Sequence, residues 1–219
     1  MGPSTSIYLY APNIIGYLRL LLLAVSWTCV SQPSIFVVFY SASAALDFLD
    51  GYLARRLKQI STFGAWLDVI VDNIGRTMLW SYITRWSWII ISLEWSSFVC
   101  THSRGSNWKS SFERAPWLVT KVMDNGFYTP LGILVVLGLH VLPLGLYVLQ
   151  YPPFGLVLDK YHVLLYTGIG MLAVGRFVCA LVELWTVLEH IRHLVSYDID
   201  QELSSLTDDL QKSRHNSTS

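Results

Sequence analysis

The chain has 219 residues, 53% of them hydrophobic and only 14% charged. Those proportions exclude an ordinary soluble domain. Several apolar runs approach the roughly 20 residues that cross a bilayer, which predicts an all-α integral membrane protein. The formal net charge of zero singles out no partner class, and no nucleic-acid partner is expected.

Residues 1–13 read as an interfacial lead-in, with Tyr8 and Tyr10 at headgroup level. They lack the basic region of a cleaved signal peptide, so the first apolar helix is expected to stay as a signal anchor. The start MGPSTS also fits a loose myristoylation pattern, which Pro3 disfavours. Pro12-Asn13 opens a first span over Ile14–Val30. Its Arg19 has two readings: snorkelling to the interface, or an inward cation that meets an anionic ligand.

A second span over Ser34–Leu57 begins apolar and ends with Asp47, Asp50 and Arg55. Ser41, Ser43, Ala44 and Ala45 are small enough for close helix packing. A turn at Lys58–Thr62 leads to a third span, Phe63–Ile83, which carries Asp68 and Asp72. The fourth span, Trp88–Cys100, is short and contains Glu94. A polar loop with a surface helix fills His102–Asn125. A fifth span covers Gly126–Leu149 and a sixth Tyr161–Leu188, extending as helix to His193. The reading is a six-helix bundle: one transmembrane domain over 1–195, then a polar cytosolic tail, expected to be disordered, over 196–219. No internal repeat is visible.

The three cysteines, Cys29, Cys100 and Cys179, are far apart in apolar surroundings and read as buried thiols. Trp86, Trp88, Trp95, Tyr147, Tyr151 and Tyr161 read as interfacial belt residues, with His140 and His162 near span ends. Arg176, inside the sixth span, pairs with Glu183 or Asp159, or reaches a phosphate; Arg76 has the same two readings. With six spans, ten of the fifteen Lys and Arg fall on the side of the termini, while Arg85 and Lys160 lie opposite. That bias puts the termini, and the Lys58–Thr62 turn beside the aspartates, in the cytosol. The Asn216 sequon is then unused.

The stretch from Asp47 to Asp72 carries the chemistry. Its pattern is D-x2-D-G-x2-A-R-x8-G-x3-D-x3-D, through Asp47, Asp50, Gly51, Ala54, Arg55, Gly64, Asp68 and Asp72. Residues three or four apart share a helix face. Asp47 and Asp50 therefore point one way from the second span, and Asp68 and Asp72 from the third. As antiparallel neighbours, the two spans would set the pairs face to face. Four carboxylates in an apolar setting repel unless compensated. Two divalent cations resolve this, and all-oxygen ligation selects Mg2+ or Mn2+ over zinc. Such a site clamps both oxygens of a displacement at phosphorus. Gly51, Ala54 and Gly64 leave room for a nucleotide or pyrophosphate, and Arg55 meets phosphate with a planar fork. One aspartate takes a proton from an attacking hydroxyl.

These eight positions resemble the signature of the CDP-alcohol phosphotransferases. The opening Pro12-Asn13-Ile14-Ile15-Gly16-Tyr17-Leu18-Arg19, with Phe63-Gly64-Ala65 and Leu67-Asp68, is similar to eukaryotic phosphatidylinositol synthases. The resemblance is good over residues 7–100 and rests on hydropathy beyond. It implies six transmembrane helices, a two-ion Mg2+ or Mn2+ site and a homodimer in the endoplasmic reticulum membrane, with the active site facing the cytosol. It implies transfer of a phosphatidyl group from CDP-diacylglycerol to an alcohol, myo-inositol above others, with release of CMP.

Carried over position by position, Asp47, Asp50, Asp68 and Asp72 bind metal and Asp72 accepts the hydroxyl proton. Gly51, Arg55 and Ser61 contact the donor. Two features depart from the subfamily. Asn73 stands where an arginine is usual, and the run from Ser92 to His102 has Phe98 in place of a histidine, with Glu94 standing for an acidic residue. The alternatives are the same chemistry on serine, glycerol phosphate or another polyol, or a weakened paralogue acting as a membrane partner protein. A transporter would show paired discontinuous helices, and none is visible.

Overall fold

The computed structural model describes residues 3–103, 115–151 and 162–217. Among them every regular element is helical. A short α1 (Pro3–Tyr8) precedes α2 (Ala11–Thr28), α3 (Pro33–Arg56), α4 (Thr62–Ile83) and α5 (Ser87–Ser103). Then follow α6 (Trp117–Met123), a 3-10 turn at Asp124–Phe127, α7 (Pro130–Leu149) and α8 (His162–Ser217).

The boundaries follow local chemistry. Pro33 and Pro130 sit in the first turns of α3 and α7, where a missing N–H costs nothing. Ser61 and Thr129 cap α4 and α7 by accepting the amides of Gly64 and Gly132 at 2.9 and 3.0 Å. Beyond the end of α3, Lys58 takes a left-handed φ of 55°, and its turn to α4 is short.

Four helices are long and apolar enough to cross a bilayer: α2, α3, α7 and the first part of α8. The expected third and fourth spans fall on α4 and α5. The first holds three charges, Asp68, Asp72 and Arg76, and the second has 17 residues.

The order of packing differs from the sequence expectation. Spans two and three are not broad antiparallel neighbours, because α3 and α4 share little contact. Instead α2 packs along α3 and also against α4, so it ties them together. One apolar core joins Leu23 of α2, Phe36 and Tyr40 of α3, Leu67, Val71 and Leu79 of α4, and Tyr147 of α7. In the other half α7 lies on α8, which also meets α5. This crossing is tight. A Cβ added at Gly175 would strike the backbone of Leu134, and one at Gly138 the backbone of Arg176.

Several expectations are corrected by packing. Tyr147 is fully buried, its hydroxyl donating to the Val30 carbonyl at 2.6 Å, so it belongs to the core and not to a belt. Trp95 is half-buried, its indole N–H donating to Thr77 Oγ1 at 3.0 Å, while Trp86 and Trp88 are exposed as a belt requires. Of the four small residues in α3 only Ser43 is buried, its Oγ donating to the Arg19 carbonyl at 3.1 Å. Cys100 and Cys179 are buried but Cys29 is half-buried. His140 lies mid-helix in α7, away from a span end.

The expected disordered tail is helix through Ser217. Residues 196–217 contain neither Gly nor Pro, so an existing helix propagates without a new nucleation cost. Ile199, Leu203 and Leu206 stand exposed along it. Tyr161, Asp159 and Lys160 lie outside the described residues, as do Arg104, Lys109 and Arg114, three of the ten cations counted on the side of the termini, and the side chains of His162, Asn216 and two more of those ten, Lys212 and Arg214.

Candidate active site

Helical spacing delivers the two carboxylate pairs. Asp47 and Asp50 lie one turn apart near the end of α3, and Asp68 and Asp72 one turn apart in α4. Oxygens of Asp47, Asp50 and Asp68 come within 4.8 Å of one another. Asp72 lies outside that trio and joins it through α2.

The link is Arg19, only 1% exposed. Its Nη1 lies 2.7 Å from Asp47, 2.8 Å from Asp50 and 2.7 Å from Asp68, and its Nη2 donates to Asp72 at 2.6 Å. Snorkelling is therefore overturned: the guanidinium points inward, and the anions it meets are the four aspartates. The desolvation cost of a cation deep in an apolar bundle is met only by ion pairs, and here four carboxylates supply them.

Charge and valence both show the cluster to be short of cation. Four carboxylates face one guanidinium, leaving three negative charges. Nη1 carries two hydrogens but has three carboxylate neighbours, so at least one carboxylate oxygen there goes without a donor. The donor set is all oxygen, and it is hard and anionic. Such a set fits small divalent cations such as Mg2+ or Mn2+ and offers no nitrogen or sulfur to zinc.

Beside the carboxylates lies a cavity of about 320 Å³. Asp50 and Asp68 line it together with Gly51, Ala54, Arg55, Ser61, Gly64, Asn13 and Gln59. The structure thus brings Gly51, Ala54, Arg55, Ser61 and Gly64, the residues expected to meet the donor, to one cavity. The small residues are needed for space. A Cβ at Gly64 would sit 2.7 Å from Asn13 Oδ1 and 3.1 Å from Ser61 Oγ. Arg55 is exposed, and no described residue forms an ion pair with it. Ser61 Oγ accepts the Gly64 amide, which leaves its O–H free to donate into the cavity. The N-terminus of α4, with its positive dipole end, opens there as well.

Two further residues of this cavity were given no site role from sequence, although Asn13 stood in the opening motif. Asn13, 1% exposed, donates its amide to the Ile7 carbonyl at 2.6 Å and turns its oxygen towards Gly64. Gln59 accepts the Ala11 amide at 2.9 Å, which pins the start of α2 to the α3–α4 turn. The signals for Asn13 were a polar residue directly after proline at a helix start and its place in the opening motif.

Behind Asp72 runs a buried chain of alternating charge. Arg76 Nη1 is 3.8 Å from Asp72, and its Nε donates to Glu94 at 2.9 Å. Glu94 also accepts from Arg176 at 3.0 Å, and Arg176 donates to Glu183 at 3.0 Å. Arg76 donates further to Asn73 Oδ1 and lies 3.5 Å from His140 Nδ1. The expected Arg176–Glu183 pairing is present. Glu94 as the partner shared by both arginines was not anticipated, because only tertiary packing brings α5 between α4 and α8. His140, read from sequence as interfacial, belongs to this interior group.

The family model described as CDP-alcohol phosphatidyltransferase matches residues 9–143. CDP-diacylglycerol–inositol 3-phosphatidyltransferase 1 of Arabidopsis thaliana is 38% identical over 135 residues, which cover 56% of this chain and 60% of that protein. The Candida albicans CDP-diacylglycerol–inositol 3-phosphatidyltransferase is 38% identical over 99 residues, 42% of this chain and 43% of that one. A CDP-diacylglycerol–glycerol-3-phosphate 3-phosphatidyltransferase of Pseudomonas fluorescens is 40% identical over 72 residues, 29% of this chain and 35% of its own. The matched stretch therefore covers 60% or less of these relatives. No solved structure gives a significant match.

Proposed function

This chain belongs to the CDP-alcohol phosphatidyltransferase family, and from that premise we propose that it transfers the phosphatidyl group of CDP-diacylglycerol to myo-inositol, giving phosphatidylinositol and CMP. The observation that carries the reading is the convergence of Asp47, Asp50, Asp68 and Asp72 beside a cavity lined by Gly51, Ala54, Arg55, Ser61 and Gly64. The relatives named as inositol phosphatidyltransferases favour inositol as acceptor.

In this mechanism the diphosphate of the donor lies in the cavity. Gly51, Ala54 and Gly64 let it approach the helix backbones. Arg55 and the Ser61 hydroxyl donate to its oxygens, and the α4 N-terminus adds a favourable field. Two divalent cations, Mg2+ or Mn2+, held by Asp47, Asp50, Asp68 and Asp72, would neutralise charge on the attacked phosphate and on departing CMP. The Asp72 carboxylate takes the proton of the acceptor hydroxyl. The acceptor oxygen forms its bond to the phosphorus that bears diacylglycerol. The bond from that phosphorus to the bridging oxygen breaks, and CMP leaves with the electron pair. Arg19 holds the four carboxylates together before the ions arrive.

The same reading takes α4 and α5 as spans beside α2, α3, α7 and α8. It gives six crossings in a homodimeric protein of the endoplasmic reticulum membrane, with the site facing the cytosol. The charge bias of the loops supports that orientation.

The test is CMP release by the purified protein from CDP-diacylglycerol with Mn2+, across inositol, serine and glycerol 3-phosphate. Release with inositol is expected. Release with serine alone would sink the acceptor assignment, and silence with all three would sink the enzyme.

A further inference from the structure

We propose that Glu94 is a positioning residue for Asp72, acting through Arg76: it holds the Arg76 guanidinium off Asp72 Oδ2, the oxygen that Arg19 does not take, and so keeps that oxygen free to work. The inference rests on the phosphatidyl-transfer reading for its kinetic consequence, and on geometry alone for its effect on cation binding.

Asp72 and Arg76 are one helical turn apart on α4, a spacing at which an acid and a base close into a direct ion pair. With Arg76 buried, that pair would be strong and bidentate. It is not closed. The nearest approach is 3.8 Å, beyond hydrogen-bond reach. The cause lies on the other side of the guanidinium. Glu94 takes the Nε hydrogen at 2.9 Å, and Asn73 Oδ1 takes one on Nη2. Two of the three edges of the planar group are fixed, and rotation towards Asp72 would break both bonds.

Glu94 is itself fixed. Its second oxygen accepts from Arg176 at 3.0 Å, and Arg176 is tied to Glu183 at 3.0 Å. Arg76, Glu94, Arg176 and Glu183 are each less than one-tenth exposed and sum to no net charge. Four buried ions are expensive in an apolar interior, and an arrangement of that cost points to function. Neutralising Glu94 alone would leave one positive charge in surplus. The nearest anion to Arg76 is then Asp72. A closed Asp72–Arg76 pair would occupy the lone pairs that Asp72 needs for a cation and for the acceptor proton.

Charge balance supplies the discriminating experiment. Mn2+ affinity is measured by calorimetry on purified full-length protein: wild type, Glu94→Gln, Arg76→Gln, and the double variant Glu94→Gln/Arg76→Gln. CMP release is followed in parallel. Glu94→Gln is expected to weaken Mn2+ binding by about ten- to a hundredfold, the range for groups that orient a metal ligand. Its kcat should fall with the CDP-diacylglycerol KM near wild type. The double variant removes the displaced cation along with its former partner and should regain most of the Mn2+ affinity and part of kcat. Arg76→Gln alone should bind Mn2+ at least as well as wild type.

A double variant as weak as Glu94→Gln would overturn the inference, since a merely structural Glu94 predicts that outcome. Should Glu94→Gln fail to fold, weaker Mn2+ binding by Arg76→Gln overturns it equally. A wild-type protein that binds Mn2+ in this pattern but releases no CMP would refute the enzyme reading and leave the role of Glu94 standing.

Discussion

Replacing Arg19 with alanine isolates the electrostatics of the site. The side chain is 1% exposed and touches four carboxylates at 2.6–2.8 Å. Its removal leaves four facing anions with no compensation inside the cluster. Breaking a buried ion pair by deleting one partner costs about 3–5 kcal/mol. For a chain of this length each kcal/mol lowers Tm by about 2–4 °C, so a fall of about 6–20 °C is expected in EDTA.

Divalent cation should reverse much of it. A ligand at about a hundred to a thousand times its Kd stabilises by about 2.7–4.1 kcal/mol. In wild type, binding must also displace Arg19 from the carboxylate oxygens, so the Mn2+ gain should be smaller there than in Arg19→Ala. Thermal unfolding in one detergent, with EDTA against Mn2+, reads all four states. Arg19→Lys, which keeps the charge but loses the fork, should fall between them. Equal Mn2+ shifts in wild type and Arg19→Ala would refute the competition. A loss in Arg19→Ala that Mn2+ leaves untouched would show Arg19 to be packing alone.

Asp72→Asn should cut turnover by about a hundredfold or more, the contribution of a positioned general base. Donor binding, followed by retention of CDP-diacylglycerol, should largely remain. Gly64→Ala places a methyl against Asn13 and Ser61, an overpacking of about 1–3 kcal/mol. It should appear chiefly as a raised CDP-diacylglycerol KM, and an unchanged KM would mean that the donor does not pass that wall. Gly175→Ala forces α7 from α8 at the Leu134 carbonyl and should lower Tm without shifting the ratio of kcat for inositol to kcat for other acceptors.

The carboxylate site was legible in sequence because helices translate spacing directly into direction. Asp47 with Asp50, and Asp68 with Asp72, share faces on any α-helix, and an apolar setting makes four acids costly enough to demand a reason. Gly51, Ala54, Arg55 and Gly64 fall on the cavity wall for the same reason, while Ser61, the cap of α4, was reached only through the family resemblance. Local periodicity also placed the helices, because runs of apolar residues between prolines and capping hydroxyls leave little freedom in where they begin. It misplaced the tail, where the polar composition of 196–217 outweighed the absence of any helix-stopping residue.

What the sequence alone determined, then, is the helical membrane character, the two carboxylate pairs and the small residues beside them. Only the tertiary structure decided how those pairs meet. They do not meet across a broad α3–α4 contact. They converge because α2 packs against both helices and drives Arg19 between them. The same is true behind Asp72, where Glu94, Arg176 and His140 come from three further helices. The physical reason is that a buried charge selects its partner by distance in space. Which arginine reaches which acid depends on the crossing of helices such as α7 and α8, set by Gly138 and Gly175, and the spacing along any one helix does not contain that information.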